Sequence, residues 1–336
     1  MYLRSTLPAF LFLAITATQA QDLKVDVLDF YGLHKIPESQ IRKALGVREG
    51  DRMPPSKGDA ETKLDQVPGV VEAHLEAVCC DGGRTILYVG IEERGAPHFD
   101  LREPPEGNVA LPDEIVSTYN RFLQAAEAAS RRGSTDEDLT HGHPLAADGA
   151  ARAIQEMLPA LVDQNLAQIR EVLRNSDDES QRAIAAYVLV YATRKSGIVN
   201  DLQNALKDAD AGVRSNAVRS LVALSVLAKL DPSSEITISP TWFIEMLNSL
   251  SWSDRHRALW ALQTLTDSRE PLVLDQLRNR SLDALIDMAR WKTLSHALPA
   301  FILLGRVAGM AEPDIQSAWT RGDRDVVIAA AKKKAK

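Results

Sequence analysis

A short pattern that recurs through the second half of the chain limits that half to a helical repeat. Gln181-Arg182-x-x-Ala185, Val213-Arg214-x-x-Ala217 and Asp254-Arg255-x-x-Ala258 align, and Leu294-Ser295-His296-Ala297 is a weaker fourth copy. The alanines fall at intervals of 32, 41 and 39 residues. Four residues after each stands a large apolar group: Leu189, Leu221, Leu262 and Phe301. Seven residues after stand Ala192, Leu224, Leu265 and Leu304. Such spacings share one helix face, and a small residue on that face lets a second helix approach. Asp177-Asp178, Asp208-x-Asp210 and Ser251-x-Ser253 precede the helices, where side-chain oxygens satisfy exposed N–H groups. Residues 166–336 are therefore expected to form about four stacked helix pairs, each burying its face against its neighbours. Asp231–Pro240 reads as a loop insertion, and Lys332–Lys334 with Lys336 suit the end of a last helix.

The nearest known pattern is the HEAT repeat. Its Asp…Val-Arg-x-x-Ala-x-x-x-Leu core is nearly complete at Asp208–Leu221, which this stretch resembles closely. The resemblance implies an all-α superhelix.

Residues 22–95 have a different grammar. Leu23, Val25 and Val27 alternate with polar residues, as in a half-buried strand that Tyr31-Gly32 ends. Pro37 opens a helix with Ile41, Ala44 and Leu45 inside, and Gly46 stands at its C-cap. A second helix starts near Ser56, with Asp59 completing a capping box, and Pro68-Gly69 stops it. Val71–Cys79 alternates as a second strand, Asp81-Gly82-Gly83 is a hairpin turn, and Ile86–Ile91 returns. The order is βααββ. Leu28-x-Phe30-x-Gly32, Ile41-x-x-Ala44-Leu45-x-Val47-x-x-Gly50-Asp51, Leu64-x-x-Val67-Pro68-Gly69-Val70 and Leu87–Glu93 give it a resemblance to the POTRA domain of outer-membrane assembly proteins and the FtsQ type of division protein. Asp26 and Asp29 depart from the apolar first strand of that family. The fold class is thus an α+β POTRA-like domain plus an all-α HEAT-repeat superhelix. The proline-bearing stretch 96–112 reads as a linker and 113–165 as a helical connector, with helices near 113–132 and 148–163.

Met1–Ala20 is composed as a secretory signal peptide: Arg4, then the apolar Leu7–Thr16, then Thr18 and Ala20 before a cut at Gln21. Its apolar run falls short of the ~20 residues a bilayer helix needs. Export to a periplasm is expected, with no membrane insertion after cleavage.

The net charge of −7 argues against a nucleic-acid partner. No nucleotide-binding, zinc-protease or serine-hydrolase motif occurs, and Asp208–Gly212 fails as a calcium loop because Arg219 stands where an acid is needed. No cofactor is expected. His141-x-His143 is the best metal fragment, but it lacks third and fourth ligands at suitable spacing. Cys79 and Cys80 are the only cysteines; a buried Cys79 beside a more exposed Cys80, a vicinal disulfide and a redox thiol all remain open. The five tryptophans, all in the repeat half, read as helix packing, with Trp252 as a hydrophobic staple, and Arg255-His256-Arg257 as a solvated turn rather than an anion site. The expected function is a non-enzymatic adaptor for protein partners in the cell envelope. A division or assembly factor working through the POTRA-like part, and a helical enzyme or metal protein using residues 133–165, are the alternatives.

Overall fold

The computed structural model describes residues 23–334, apart from the side chains of Cys80 and Asp81. The leader expected at 1–20 and Lys336 lie outside the described residues.

The N-terminal module has the expected order: β1 (Val27–Tyr31), α1 (Glu38–Leu45), α2 (Lys57–Asp65), β2 (Val70–Asp81) and β3 (Arg84–Glu93). Gly46 closes α1 in the left-handed region at φ +68°, and the Asp59 N–H donates to Ser56 Oγ at 3.2 Å. Gly82 and Gly83, with φ of +61° and +84°, make the two-residue turn whose twist suits a hairpin. The sheet order is β1-β3-β2, with β3 central, parallel to β1 and antiparallel to β2. Leu28, Leu75, Leu87 and Val89 face α1 and α2, where Ile41 and Leu64 complete a dry core.

The first strand begins later than its alternation predicts. Val25 and Leu28 both enter this core, which sends Val27, Asp29 and Tyr31 to the opposite face. The two aspartates foreign to the family pattern have partners: Asp26 accepts the Thr85 N–H at 2.7 Å and Asp29 the Lys292 N–H at 2.8 Å. Glu93, the last residue of β3, is buried and reaches back to accept the N–H groups of His34, Lys35 and Ile36. Burial works against its ionisation, but the three donors outweigh it and hold the carboxyl below its usual range.

The chain divides into two compact units. One takes in residues 100–239: α3 (Asp113–Arg131), a ribbon of β4 (Glu137–Asp138) and β5 (Leu145–Ala146), α4 (Gly149–Gln155), α5 (Leu158–Asn175), α6 (Glu179–Val188), α7 (Val199–Ala205) and α8 (Ala211–Leu230). The helix expected at 148–163 is broken after Gln155, and α5 runs through the expected 165/166 boundary with a kink at Asn165, whose side chain donates to the Leu161 carbonyl. The other unit joins residues 23–99 to residues 240–334: α9 (Thr241–Met246), α10 (Trp252–Leu265), α11 (Pro271–Ala289), α12 (Leu294–Val307), α13 (Glu312–Arg321) and α14 (Arg324–Lys334). The stretch expected as one array is thus shared between the units at 239/240.

The sequence repeat corresponds to a repeated contact. Arg182 Nη1 donates to the carbonyls of Ser176 and Asp177 at 2.9 and 3.2 Å, and Arg214 Nη1 to those of Asp208 and Ala209 at 2.7 and 2.8 Å. Arg255 Nε donates to the Ser249 carbonyl at 2.5 Å. Each arginine reaches back to the turn before its own helix, satisfying carbonyls the preceding helix leaves open. Asp208 ties successive copies by accepting Arg182 Nε and Nη2 at 3.0 and 2.9 Å, and it also pairs with Arg102. Against burial, these donors hold its carboxyl below the ordinary range.

The second half of the expected linker is fastened down. The Gly107 N–H donates to the Asn175 carbonyl, and the Asp177 N–H to that of Gly107, both at 2.8 Å. The Leu111 N–H donates to Gln181 Oε1.

Candidate functional site

The second face of the sheet carries Tyr31, Tyr88 and Gly90, and it is covered by the helices of its own unit. Tyr88 stacks on Trp252 with ring centroids 5.0 Å apart, meets Trp291 at 5.0 Å, and hydrogen-bonds His296 Nδ1 at 2.7 Å. The Tyr31 hydroxyl donates to the Leu250 carbonyl at 2.7 Å. Trp252 and Trp291 are almost fully buried, as packing tryptophans. Trp252 is not a staple: it is the first residue of α10 and stacks on His256 one turn later, at 4.6 Å. The Trp260 Nε1–H donates to His256 Nε2, so the proton of the neutral ring belongs on Nδ1. Burial, with His296 and Arg257 nearby, lowers the His256 pKa well below normal. Arg255 and His256 are thus buried, and the solvated-turn reading of Arg255-His256-Arg257 fails. The three-residue spacing from Ala258 places Arg255 on the same helix face, but Tyr31, whose ring it covers, lies more than 150 residues away in the chain.

The ribbon carries the two candidate metal residues apart from any third ligand. No group of three potential metal ligands occurs among the described residues. His143 instead accepts from the Lys195 ammonium through Nδ1 at 3.1 Å, and its ring lies 4.9 Å from Tyr191. Burial first, then the charge of Lys195, takes the His143 pKa down to about 4. Burial lowers Lys195 to about 8, against the pull of Asp163. His141 is exposed and lies 3.5 Å from Asp138. Cys79 is exposed and disulfide-bonded rather than a buried thiol; the Cys80 side chain lies outside the described residues.

β2 is an edge strand. Near its start the outward N–H groups are taken: that of Ala73 donates to Asp65 at 2.8 Å and that of Leu75 to Glu61 at 2.7 Å, both carboxylates coming from α2. The period of two puts Ala77 on the same side, past Asp65 and Glu61, and it is exposed.

A cleft of about 190 Å³ opens between the module and α11 within the same unit, lined by Gly32, His34, Asn248, Arg255, Arg278 and Asp287 among others. Nothing in the sequence singled out Arg278 or Asp287. No family model matches this chain, and no curated protein matches it.

Proposed function

We propose that the protein is an exported, non-enzymatic adaptor of the cell envelope, with a POTRA-like module and a HEAT-like helical part. The βααββ order with β3 central supports the first resemblance, and the repeated arginine-to-turn contacts support the second. The observation that carries the binding role is the outer edge of β2 at Ala77, exposed where the capping carboxylates of α2 end. Such an edge recruits an extended peptide as an added strand.

The test uses the full chain, because the module's second face is docked on α10 and the segment before α12. Ala77→Pro removes one outward N–H and leaves the ladder to β3 in place. Wild type and variant of equal thermal stability serve as baits in an envelope extract. Loss of a specific protein from the variant supports the reading. An unchanged set of captured proteins overturns it. Mature protein beginning at Gln21 in the periplasmic fraction would establish export.

A further inference from the structure

The cleft beside α11 holds two guanidinium groups with unmet hydrogen-bonding capacity. Arg255 is 5% exposed, spends Nε on the Ser249 carbonyl, and lies over the Tyr31 ring at 4.5 Å. Its Nη1 is buried without a hydrogen-bond partner among the described residues. Arg278 donates through Nη1 to Asp275 at 2.7 Å, yet its Nε is also buried without a partner. A buried cationic donor left unsatisfied is costly, and charge-assisted bonds to an oxyanion are the strongest remedy. The same cleft is lined by Asn279, and by Asn248 and Ser281, whose donor hydrogens go to the Arg280 carbonyl and Ser281 Oγ and to the Ile244 carbonyl.

We propose that this cleft binds a small oxyanion, a phosphate or carboxylate group held by Arg255 and Arg278. Three carboxylates also line it, Glu92, Asp283 and Asp287. Asp287 is occupied by the Gly32 N–H at 3.0 Å, and burial raises its pKa, which weakens it as a counter-ion for Arg255. Of the other basic side chains of the wall, His34 and Arg280, the latter is engaged by Glu245. The site is separate from the β2 edge, so its failure leaves the adaptor reading standing.

The test is calorimetric titration of the full chain with inorganic phosphate and, separately, with succinate, at fixed ionic strength set by chloride. Saturable one-to-one binding of either supports the site, and the arm that responds identifies the chemistry. Arg278→Gln, at a half-buried position, is expected to keep the fold and weaken binding about tenfold, the loss of one charge-assisted hydrogen bond. Arg255→Lys retains charge but loses the planar fork, and is expected to weaken binding as well. Absence of saturable binding in both arms overturns the proposal. So does binding that Arg278→Gln leaves unchanged in a variant with wild-type thermal stability.

Discussion

Glu76 of β2 caps α10 from 177 residues away in the chain: its carboxylate accepts the Ser253 N–H at 3.1 Å. It also accepts the Ser251 hydroxyl at 3.0 Å and that of Ser253. Ser251 holds the N-cap position but makes no cap bond of its own. Asp178 and Asp210, in the same place in their copies of the repeat, do cap locally. The negative charge of Glu76 sits where the helix dipole favours it. Glu76→Ala is therefore expected to lower stability by about 1–2 kcal/mol, as the loss of a strong cap does. Glu76→Gln should cost less, because it keeps an acceptor. Chemical denaturation of the three proteins checks this order; equal stability of all three would show that Glu76 contributes no capping energy.

Tyr88 and Trp252 are expected to be energetically coupled. Each truncation to alanine empties a buried aromatic site and should cost about 3–5 kcal/mol. Their 16° interplanar angle and 5.0 Å separation describe a stacked pair, for which the interaction energy in a double-mutant cycle is about 1 kcal/mol. Strict additivity of the two losses would show that the stacking contributes only burial.

Two glycines should respond to alanine with opposite sign. At Gly90 an added Cβ would stand 2.5 Å from the Leu250 carbonyl oxygen and 2.7 Å from the Tyr31 ring. Neither can yield without opening the docked face, so Gly90→Ala is expected to destabilise by about 1–3 kcal/mol. Gly58, in α2, has nothing within 4 Å of its Cβ position. Gly58→Ala should stabilise by up to about 1 kcal/mol through helix propensity. Melting curves of the two variants decide it.

Stability should rise with pH in two windows set by unit 100–239. His143 titrates at about 4 in the folded chain and at its ordinary 6.5 unfolded, so between these values only the unfolded chain gains the proton. Its contribution therefore grows from about pH 4 to 6.5, and below that the full penalty applies. Lys195, lowered from 10.5 to about 8, repeats the effect between those two values. Comparing His143→Gln with wild type removes the carboxylates that titrate in both. The wild type should gain relative to the variant from pH 4 to 6.5; a constant difference would contradict the burial of His143.

Much of the local structure was legible because its causes are local. The left-handed Gly46, the Ser56 cap, the Gly82-Gly83 turn and the Asp178 and Asp210 caps each depend on residues a few positions apart. The break after Gln155 and the late start of β1 were not, since tertiary packing shifted both from where periodicity placed them. Of the candidate residues, His143 has the spacing of a metal fragment, yet its partner is Lys195. Arg255 sits in a polar run that resembles a solvated turn but is buried, and Arg278 carries no local signal.

The sequence by itself determined the element order of the module, the turn chemistry and the repeat with its helix starts, because caps, glycine dihedrals and 3.6-residue spacing act over one or two turns. Only the tertiary structure decided that the polar side of the sheet is an inner face. Asp29, Glu76 and Gly90 are each matched to a group around residues 250–292: the Lys292 N–H, the Ser253 N–H and the Leu250 carbonyl. A carboxylate looks the same in a sequence whether its partner is water or a helix end across the fold, and the difference is made by complementary surfaces that meet only when the chain closes on itself.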